Sequence, residues 1–291
     1  MKRNLHLLII DPQNDFCDLP KEYLPSSAGA GATVEPALPV PGAHADMLRL
    51  ADVINRGGDG LSGISVTLDS HHRIDVAHPT FWMDSAKGPV NPFTQITKAE
   101  VVQGKYSPRD AAALPRVMHY LDALEAAGRY NLMVWPTHCE MGSWGHNVHA
   151  DVRAAYNRWE ESTLGIVNKI SKGTNPFTEH YSAIQAEVPD AQDDSTQMNY
   201  EFIDMLSDAD QVYITGEAGS HCVKATTEHI VDNWDQAQLN KLVLVTDCMS
   251  SVTGFDEQYR QFIRDMRARG VQIAQASDVL AELIANARRE S

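Results

Sequence analysis

Residues 211–231 constrain the fold of this chain more than any other stretch. A short apolar run at 212–215 ends at Gly216, and a helical pattern begins after Cys222. A strand, a glycine-containing turn and a helix, in this order, form the repeating unit of a parallel sheet. The pattern therefore places Cys222 at a helix N-terminus, at the C-terminal edge of a sheet.

A cysteine in that position has two interpretations. Unpaired N–H groups and the positive end of the helix dipole stabilise an anion there, and a thiolate is an anion, so the position favours a nucleophile. The alternative is a small cysteine that only packs beneath the turn, which is the more common role of an intracellular cysteine.

The rest of the chain alternates strands with helices of about a dozen residues. Predicted strands lie at 5–10, 61–68, 132–135, 166–170, 212–215, 242–245 and 271–274, and predicted helices at 43–56, 110–127, 148–162, 199–206, 256–269 and 278–289. This order predicts an α/β protein with three α/β/α layers and a mostly parallel central sheet. Residues 89–108 are expected to be irregular. We interpret residues 1–291 as a single domain with long insertions around residues 19–42 and 88–128.

Composition excludes several classes of function. The net charge of −15 disfavours binding to nucleic acid or to an anionic membrane surface. No apolar stretch approaches the roughly 20 residues of a membrane span, and the apolar run at 5–10 is typical of a first strand rather than a signal peptide. The four cysteines contain no CxxC pair and are too few for a disulfide scaffold. We expect a cytoplasmic protein with a small-molecule partner and no nucleic acid or membrane partner. Whether the chain also forms a homo-oligomer is left open by the sequence.

Titratable residues follow five successive predicted strands. In chain order they are Asp11, Asp69 with His71, His138, Lys172 and Cys222. Because ligands bind beyond the carboxyl ends of strands in an open α/β sheet, these residues are predicted to form one site. Taken singly, Asp11 could be a turn or capping residue and Lys172 a solvated surface lysine.

Asp11, Lys172 and Cys222 are the predicted catalytic residues. A thiol with a pKa of about 8.5 needs a base to take its proton or a cation to lower its pKa. Asp11 could be that base if burial raises its own pKa. Lys172 would hold the Asp11 carboxylate and offset negative charge on sulfur. Lys105, in the string Gly104-Lys105-Tyr106-Ser107, is the alternative lysine. It lies within the segment expected to be irregular, so Lys172 is preferred.

Asp69, His71 and His138 are the predicted metal ligands. Asp69 and His71 occupy alternate positions of an extended segment, so their side chains lie on the same side, and His138 could supply a third ligand. Such donors suit Zn²⁺, Mn²⁺ or Fe²⁺. His72 and His78 compete for a further position. The alternative is a polar surface loop, since 12 histidines make some clusters accidental.

Five segments in the same order match the motifs of a known family. They are Asp11-Pro12-Gln13-Asn14-Asp15-Phe16, Asp69-Ser70-His71 with His78-Pro79-Thr80-Phe81, Trp135-Pro136-Thr137-His138-Cys139, Lys172-Gly173 with Tyr181-Ser182, and Gly216 to Val223. On these segments the chain resembles the isochorismatase-like cysteine hydrolases, and among them the nicotinamidases. The resemblance implies the isochorismatase-like hydrolase fold. It also implies a metal-dependent amidase of NAD salvage, which converts nicotinamide to nicotinate and ammonia through a cysteine thioester.

The resemblance assigns roles to further residues. The backbone N–H groups of Ala218 and Cys222 would hold the oxyanion, with a cis peptide bond between Glu217 and Ala218. Phe16 and Trp135 would flank the substrate ring, and Tyr181 would join them in substrate binding. One divalent metal ion, zinc before manganese or iron, would be bound by Asp69, His71 and His138, with His78 as a candidate fourth ligand, and would take the pyridine nitrogen directly or through water.

Two departures from the motifs keep other functions open. Gly219-Ser220 replaces the usual Thr-Asp before the nucleophile, and residues 140–143 replace the usual V-x-G-T. The first alternative is a hydrolase of another small amide or carbamoyl compound with a structural metal. The second is a catalytically silent binding protein of the same fold.

Overall fold

A computed structural model describes residues 1–26 and 34–289 of the chain, so residues 27–33 of the first predicted insertion lie outside it. The strands are β1 (Leu5–Ile10), β2 (Gly63–Asp69), β3 (Trp82–Asp84), β4 (Thr94–Ile96), β5 (Tyr106–Pro108), β6 (Leu132–Val134), β7 (Asn168–Lys172), β8 (Gln211–Gly216), β9 (Leu242–Val245) and β10 (Gln272–Ala274). The helices are α1 (Ala43–Gly57), α2 (Lys98–Val102), α3 (Leu114–Ala127), α4 (Ala150–Thr163), α5 (Tyr200–Ser207), α6 (Cys222–Asp232), α7 (Asp256–Arg269) and α8 (Ala276–Ala287).

Six of these strands form one parallel sheet in the order β10-β9-β8-β1-β2-β7. Every residue of β1 and β8 is buried, as expected for central strands covered by helices on both faces. Helix α1 packs against α4 and α8, and α6 packs against α7. The predicted α/β class with three α/β/α layers is therefore confirmed.

The strand order places one crevice at the centre of the sheet. Strand β1 pairs with β2 on one side and with β8 on the other. Ile10 at the end of β1 lies opposite Gly216 at the end of β8, and Asp69 at the end of β2 lies opposite Lys172 at the end of β7. Ligand sites of open α/β sheets lie where the strand order reverses in this way. The C-terminal ends of β8, β1, β2 and β7 meet around that crevice.

Two predictions for the second insertion and the strand that follows it are wrong. The apolar run at 132–135 was expected in the central sheet, but β6 pairs antiparallel with β4 outside it. Residues 89–108 were expected to be irregular, but they contain β4, α2 and β5. The physical reason is a separate apolar cluster that these elements bury together, which includes Trp82, Ile96, Val101, Leu121 and Val134.

The predicted strand at 166–170 starts too early. Strand β7 begins at Asn168, because Ile166 is 86% exposed and contributes no buried face to the sheet. An isolated apolar side chain of this kind resembles the start of a strand in the sequence alone.

The first insertion ends beside the central crevice. The backbone N–H of Leu38 donates to Asp15 O at 3.0 Å, and that of Val40 donates to Phe16 O at 2.9 Å. These bonds hold the end of the insertion against the segment that follows β1. The interpretation of residues 1–291 as one domain stays a prediction. Within the described residues, every helix is too short or too polar to cross a bilayer.

Candidate active site

Lys172 lies at the centre of the candidate site, at the end of β7 and only 2% exposed. Its Nζ lies 3.0 Å from Asp11 Oδ2, 2.8 Å from Asp69 Oδ1 and 3.6 Å from Cys222 Sγ. The structure thus brings the three predicted catalytic side chains together and joins them to a predicted metal ligand. Lys105, the alternative lysine, is exposed at the surface.

Asp11 follows β1 in a left-handed backbone conformation, with φ of 43°. The Thr67 hydroxyl donates to Asp11 Oδ1 at 2.5 Å, which fixes the orientation of the carboxyl group. Burial raises the pKa of Asp11, while Lys172 lowers it, and the net pKa is raised. Asp11 is therefore a stronger base than an exposed aspartate, as the catalytic prediction requires.

Cys222 is the first residue of α6, where the sequence pattern places it. Burial raises the pKa of its thiol well above the ordinary value, Lys172 lowers this pKa, and Asp11 raises it further. Burial thus opposes the thiolate that a helix N-terminus favours. The thiol therefore needs a base, as predicted, and Asp11 is the adjacent one.

The turn between β8 and α6 offers two backbone donors. The peptide bond between Glu217 and Ala218 is cis, as the resemblance implies. Ala218 and Cys222 line the same cavity, and within residues 1–26 and 34–289 neither backbone N–H donates a hydrogen bond. Donors of this kind beside a nucleophile can hold an oxyanion.

Gly216 allows this turn to form. Its φ is +117°, and a Cβ there would lie 1.9 Å from Ile10 O. Only glycine permits β8 to end so close to the end of β1.

Four buried side chains form the candidate metal centre. Asp69 Oδ2 lies 3.1 Å from His71 Nε2 and 3.2 Å from His138 Nε2. Ring nitrogens of His71, His78 and His138 all lie within 4.8 Å of one another. The structure therefore gathers the three predicted ligands together with the candidate fourth, whereas His72 is exposed.

His138 reaches this cluster although β6 lies outside the central sheet. The backbone N–H of His71 donates to Cys139 O, and that of Met141 donates to His71 O, both at 3.0 Å. The segment that contains His138 thus pairs with the segment that follows β2.

The donor geometry fits a divalent cation. His71 Nδ1 lies 3.0 Å from Asp75 Oδ2, and His138 Nδ1 lies 2.8 Å from Pro136 O. An acceptor at Nδ1 holds the ring proton there and leaves the Nε2 lone pair for a metal. Both Nε2 atoms lie beside Asp69 Oδ2, which gives the mixed oxygen and nitrogen set that suits zinc, manganese or iron.

A narrow cavity of about 30 Å³ lies between the nucleophile and the metal candidates. The three predicted substrate-binding residues, Phe16, Trp135 and Tyr181, all line it. Trp135 Nε1 donates to Tyr181 Oη at 2.9 Å. A larger cavity of about 400 Å³ beside Trp82 and Arg109 contains none of the candidate catalytic residues.

Sequence reasoning missed four residues that line this cavity, namely Leu38, Glu179, His221 and Val252. His221 precedes Cys222 and Glu179 lies between Lys172 and Tyr181, so proximity in sequence could have indicated both. Leu38 and Val252 carry no such signal.

The Gly219-Ser220 departure has a structural explanation. Ser220 Oγ accepts from the backbone N–H of Val252 at 3.1 Å and lies 2.9 Å from His221 Nδ1. Burial lowers the pKa of His221 to about 4, so the ring is neutral and its Nδ1 can accept the serine proton. At Gly219, a Cβ would lie 2.6 Å from the Tyr259 ring. Tyr259 thus occupies the space that a threonine would need.

We expect Gly219→Thr to lower the free energy of unfolding by about 1–3 kcal/mol, as overpacking of a filled site does. In a Tyr259→Ala background the same substitution should cost less, because the ring no longer fills the space. Urea denaturation of the four proteins of this cycle measures the coupling. Equal costs in both backgrounds would contradict the steric explanation.

Comparisons with known proteins agree on the fold. No family model matches the sequence, and no curated protein matches it. Among solved structures, the yeast nicotinamidase has a TM-score of 0.59 at 18% identity, covering 93% of this chain and 99% of that chain. An Acinetobacter baumanii nicotinamidase and pyrazinamidase has a TM-score of 0.55 at 19% identity, covering 95% and 98%. The pyrazinamidase of Pyrococcus horikoshii, in complex with zinc, has a TM-score of 0.52 at 18% identity, covering 94% and 99%. The chain therefore has the fold of the nicotinamidases and pyrazinamidases, as its motifs predict.

Proposed function

We propose that this chain is a metal-dependent cysteine amidohydrolase that converts nicotinamide to nicotinate and ammonia, a reaction of NAD salvage. The observation that carries the proposal is the position of Lys172. Its ammonium group contacts the candidate base Asp11, the candidate metal ligand Asp69 and the candidate nucleophile Cys222. Solved structures with this fold include a yeast nicotinamidase, which supports an amide substrate.

The first half of the reaction forms a thioester. Asp11 takes the Cys222 proton, and the sulfur attacks the carboxamide carbon to form a C–S bond. The N–H groups of Ala218 and Cys222 stabilise the negative charge that develops on the carbonyl oxygen. The C–N bond then breaks, and Asp11 returns its proton to the leaving nitrogen, which departs as ammonia.

The second half hydrolyses the thioester. Asp11 takes a proton from the attacking water, the C–S bond breaks, and the sulfur recovers a proton as the carboxylic acid forms. Throughout, Lys172 offsets negative charge on Asp11 and on the sulfur.

The cavity supports a small, flat substrate. Phe16, Trp135 and Tyr181 provide aromatic walls, and Leu38 from the first insertion adds an apolar side chain to the lining. A cation held by Asp69, His71 and His138, with His78 as a candidate fourth ligand, would supply a Lewis acid for the ring nitrogen. We propose zinc, with manganese or iron as alternatives. The proposed partner is a small-molecule amide in the cytoplasm, with no nucleic acid or membrane partner.

The test is ammonia release from nicotinamide and from a panel of other amides and carbamoyl compounds, with metal content measured on the same preparation. We expect nicotinamide to be the best substrate, a chelator to abolish its hydrolysis, and added zinc, manganese or iron to restore it. Hydrolysis of a different amide that survives chelation would favour the alternative hydrolase with a structural metal. Binding without hydrolysis of any compound would favour a silent binding protein.

A further inference from the structure

Glu217, the residue before Ala218, carries a carboxyl group that the proposed reaction does not use. It is fully buried, with an exposed fraction of 0%. Its Oε2 accepts from the backbone N–H of Ser250 at 3.2 Å. Its Oε1 is buried and accepts no hydrogen bond from any of the described residues. A buried carboxyl group of this kind needs a structural or functional explanation.

Ser250 links Glu217 to helix α1 and to the turn itself. Its hydroxyl donates to Asp46 Oδ2 at 2.5 Å, and its carbonyl accepts from the Gly219 N–H at 2.7 Å. The residues on both sides of Ala218 therefore bond to one serine. The position of the Ala218 N–H depends on this connection.

The carboxyl groups of Asp46 and Glu217 lie within hydrogen-bond reach of each other, and both residues are buried, so the two groups cannot both be ionised at low cost. Asp46 is the ionised one, because Arg49 forms an ion pair with it and the Ser250 hydroxyl donates to it. The charged and titratable groups around Glu217 are Asp46 and Arg49 on α1, Cys17 and Asp18 after β1, Cys248 after β9, and Tyr259 on α7. Arg49 is the cation in that set, and it contacts Asp46.

We propose that Glu217 is a positioning residue, which holds the Ala218 N–H for the oxyanion through a neutral carboxyl group paired with Asp46. The proposal rests on the proposed function, since it takes the 217–219 turn as the oxyanion site. In this pairing the Glu217 O–H donates to Asp46, and the other Glu217 oxygen accepts from Ser250. Burial and the charge of Asp46 raise the pKa of Glu217 well above its ordinary value, in agreement with the pairing.

Two substitutions at Glu217 separate positioning from simple packing. Glu217→Gln preserves both hydrogen bonds, so its kcat on nicotinamide should stay within about threefold of wild type at neutral pH. Glu217→Val removes both hydrogen bonds, and kcat should fall about tenfold or more with little change in KM. Complete loss of an oxyanion donor lowers kcat by about 10²–10³, and a misplaced Ala218 N–H should cause part of that loss. Glu187→Val, at a glutamate outside this turn whose side chain is also almost fully covered, is the matched control and should keep wild-type kcat.

A second measurement does not depend on activity. Folded Glu217 keeps a proton that the unfolded chain releases above about pH 4.3, so the stability of the wild type falls as pH rises toward the folded pKa. Glu217→Gln has no such loss. Its Tm should therefore exceed the wild-type Tm by a margin that widens from about pH 5 to about pH 8.

Each outcome decides one point. A wild-type protein without amidase activity would contradict the proposed function, and the Tm measurement would still test the pairing of Glu217 with Asp46. A Tm difference that stays constant with pH, or a Glu217→Val protein with wild-type kcat, would overturn the proposal for Glu217. If Glu217→Val does not fold, the pH dependence of Glu217→Gln decides alone.

Discussion

Replacing Cys222 with alanine is expected to abolish ammonia release from nicotinamide, with a loss on the order of 10⁴ or more. The sulfur alone can form the covalent bond to the carboxamide carbon in the proposed reaction. Its removal leaves the fold and the candidate metal ligands unchanged, because Cys222 Sγ contacts Lys172 at 3.6 Å rather than the histidine cluster. Ammonia release, circular dichroism and metal content, measured on one preparation, test all three points.

Cys248→Ala is the matched control for this experiment. Cys248 is also fully buried, but it has no role in the proposed reaction, so the control variant should keep wild-type activity. A Cys222→Ala protein that still releases ammonia at the rate of this control would rule out the nucleophile assigned to Cys222.

The central strands could be predicted from sequence because they are buried on both faces. Strands β1, β8 and β9 are buried along their whole length and are mostly apolar, and the amphipathic spacing of α7 matches Asp256–Arg269. The run at β6 has the same appearance. Its antiparallel partner β4 is only three residues long, and pairing of this kind depends on the tertiary structure rather than on local pattern.

In the candidate site, too, some residues could be predicted from local sequence pattern and others depend on the tertiary structure. Residues at strand ends could be predicted, because the parallel strands carry their C-terminal neighbours to one edge. Leu38 could not, since a hydrogen bond from its N–H to Asp15 O brings it to the cavity across a long loop. Glu217 could not be predicted either. In sequence it is an ordinary acidic turn residue, and only the packing of α1 against this turn reveals its buried carboxyl group.

Lys172→Met is expected to lower both stability and activity, since this side chain compensates two buried carboxylates. Removing one partner of a buried ion pair costs about 3–5 kcal/mol, because the remaining charge is left unpaired. Without the ammonium group the pKa of Asp11 should rise further. Asp11 would then hold a proton at neutral pH and could not take another from Cys222, so kcat should fall by about 10²–10⁴.

A second substitution separates these two effects. In Lys172→Met, keeping Asp11 protonated at neutral pH costs stability. Lys172→Met/Asp11→Asn removes this cost, so urea denaturation should show that part of the lost stability returns. Ammonia release should stay absent, because the base is gone. Lys105→Met, at an exposed lysine, is the control and should keep wild-type stability and activity. A double variant no more stable than Lys172→Met would show that Asp11 does not depend on Lys172 for its charge, and the proposed role of this lysine would fail with it.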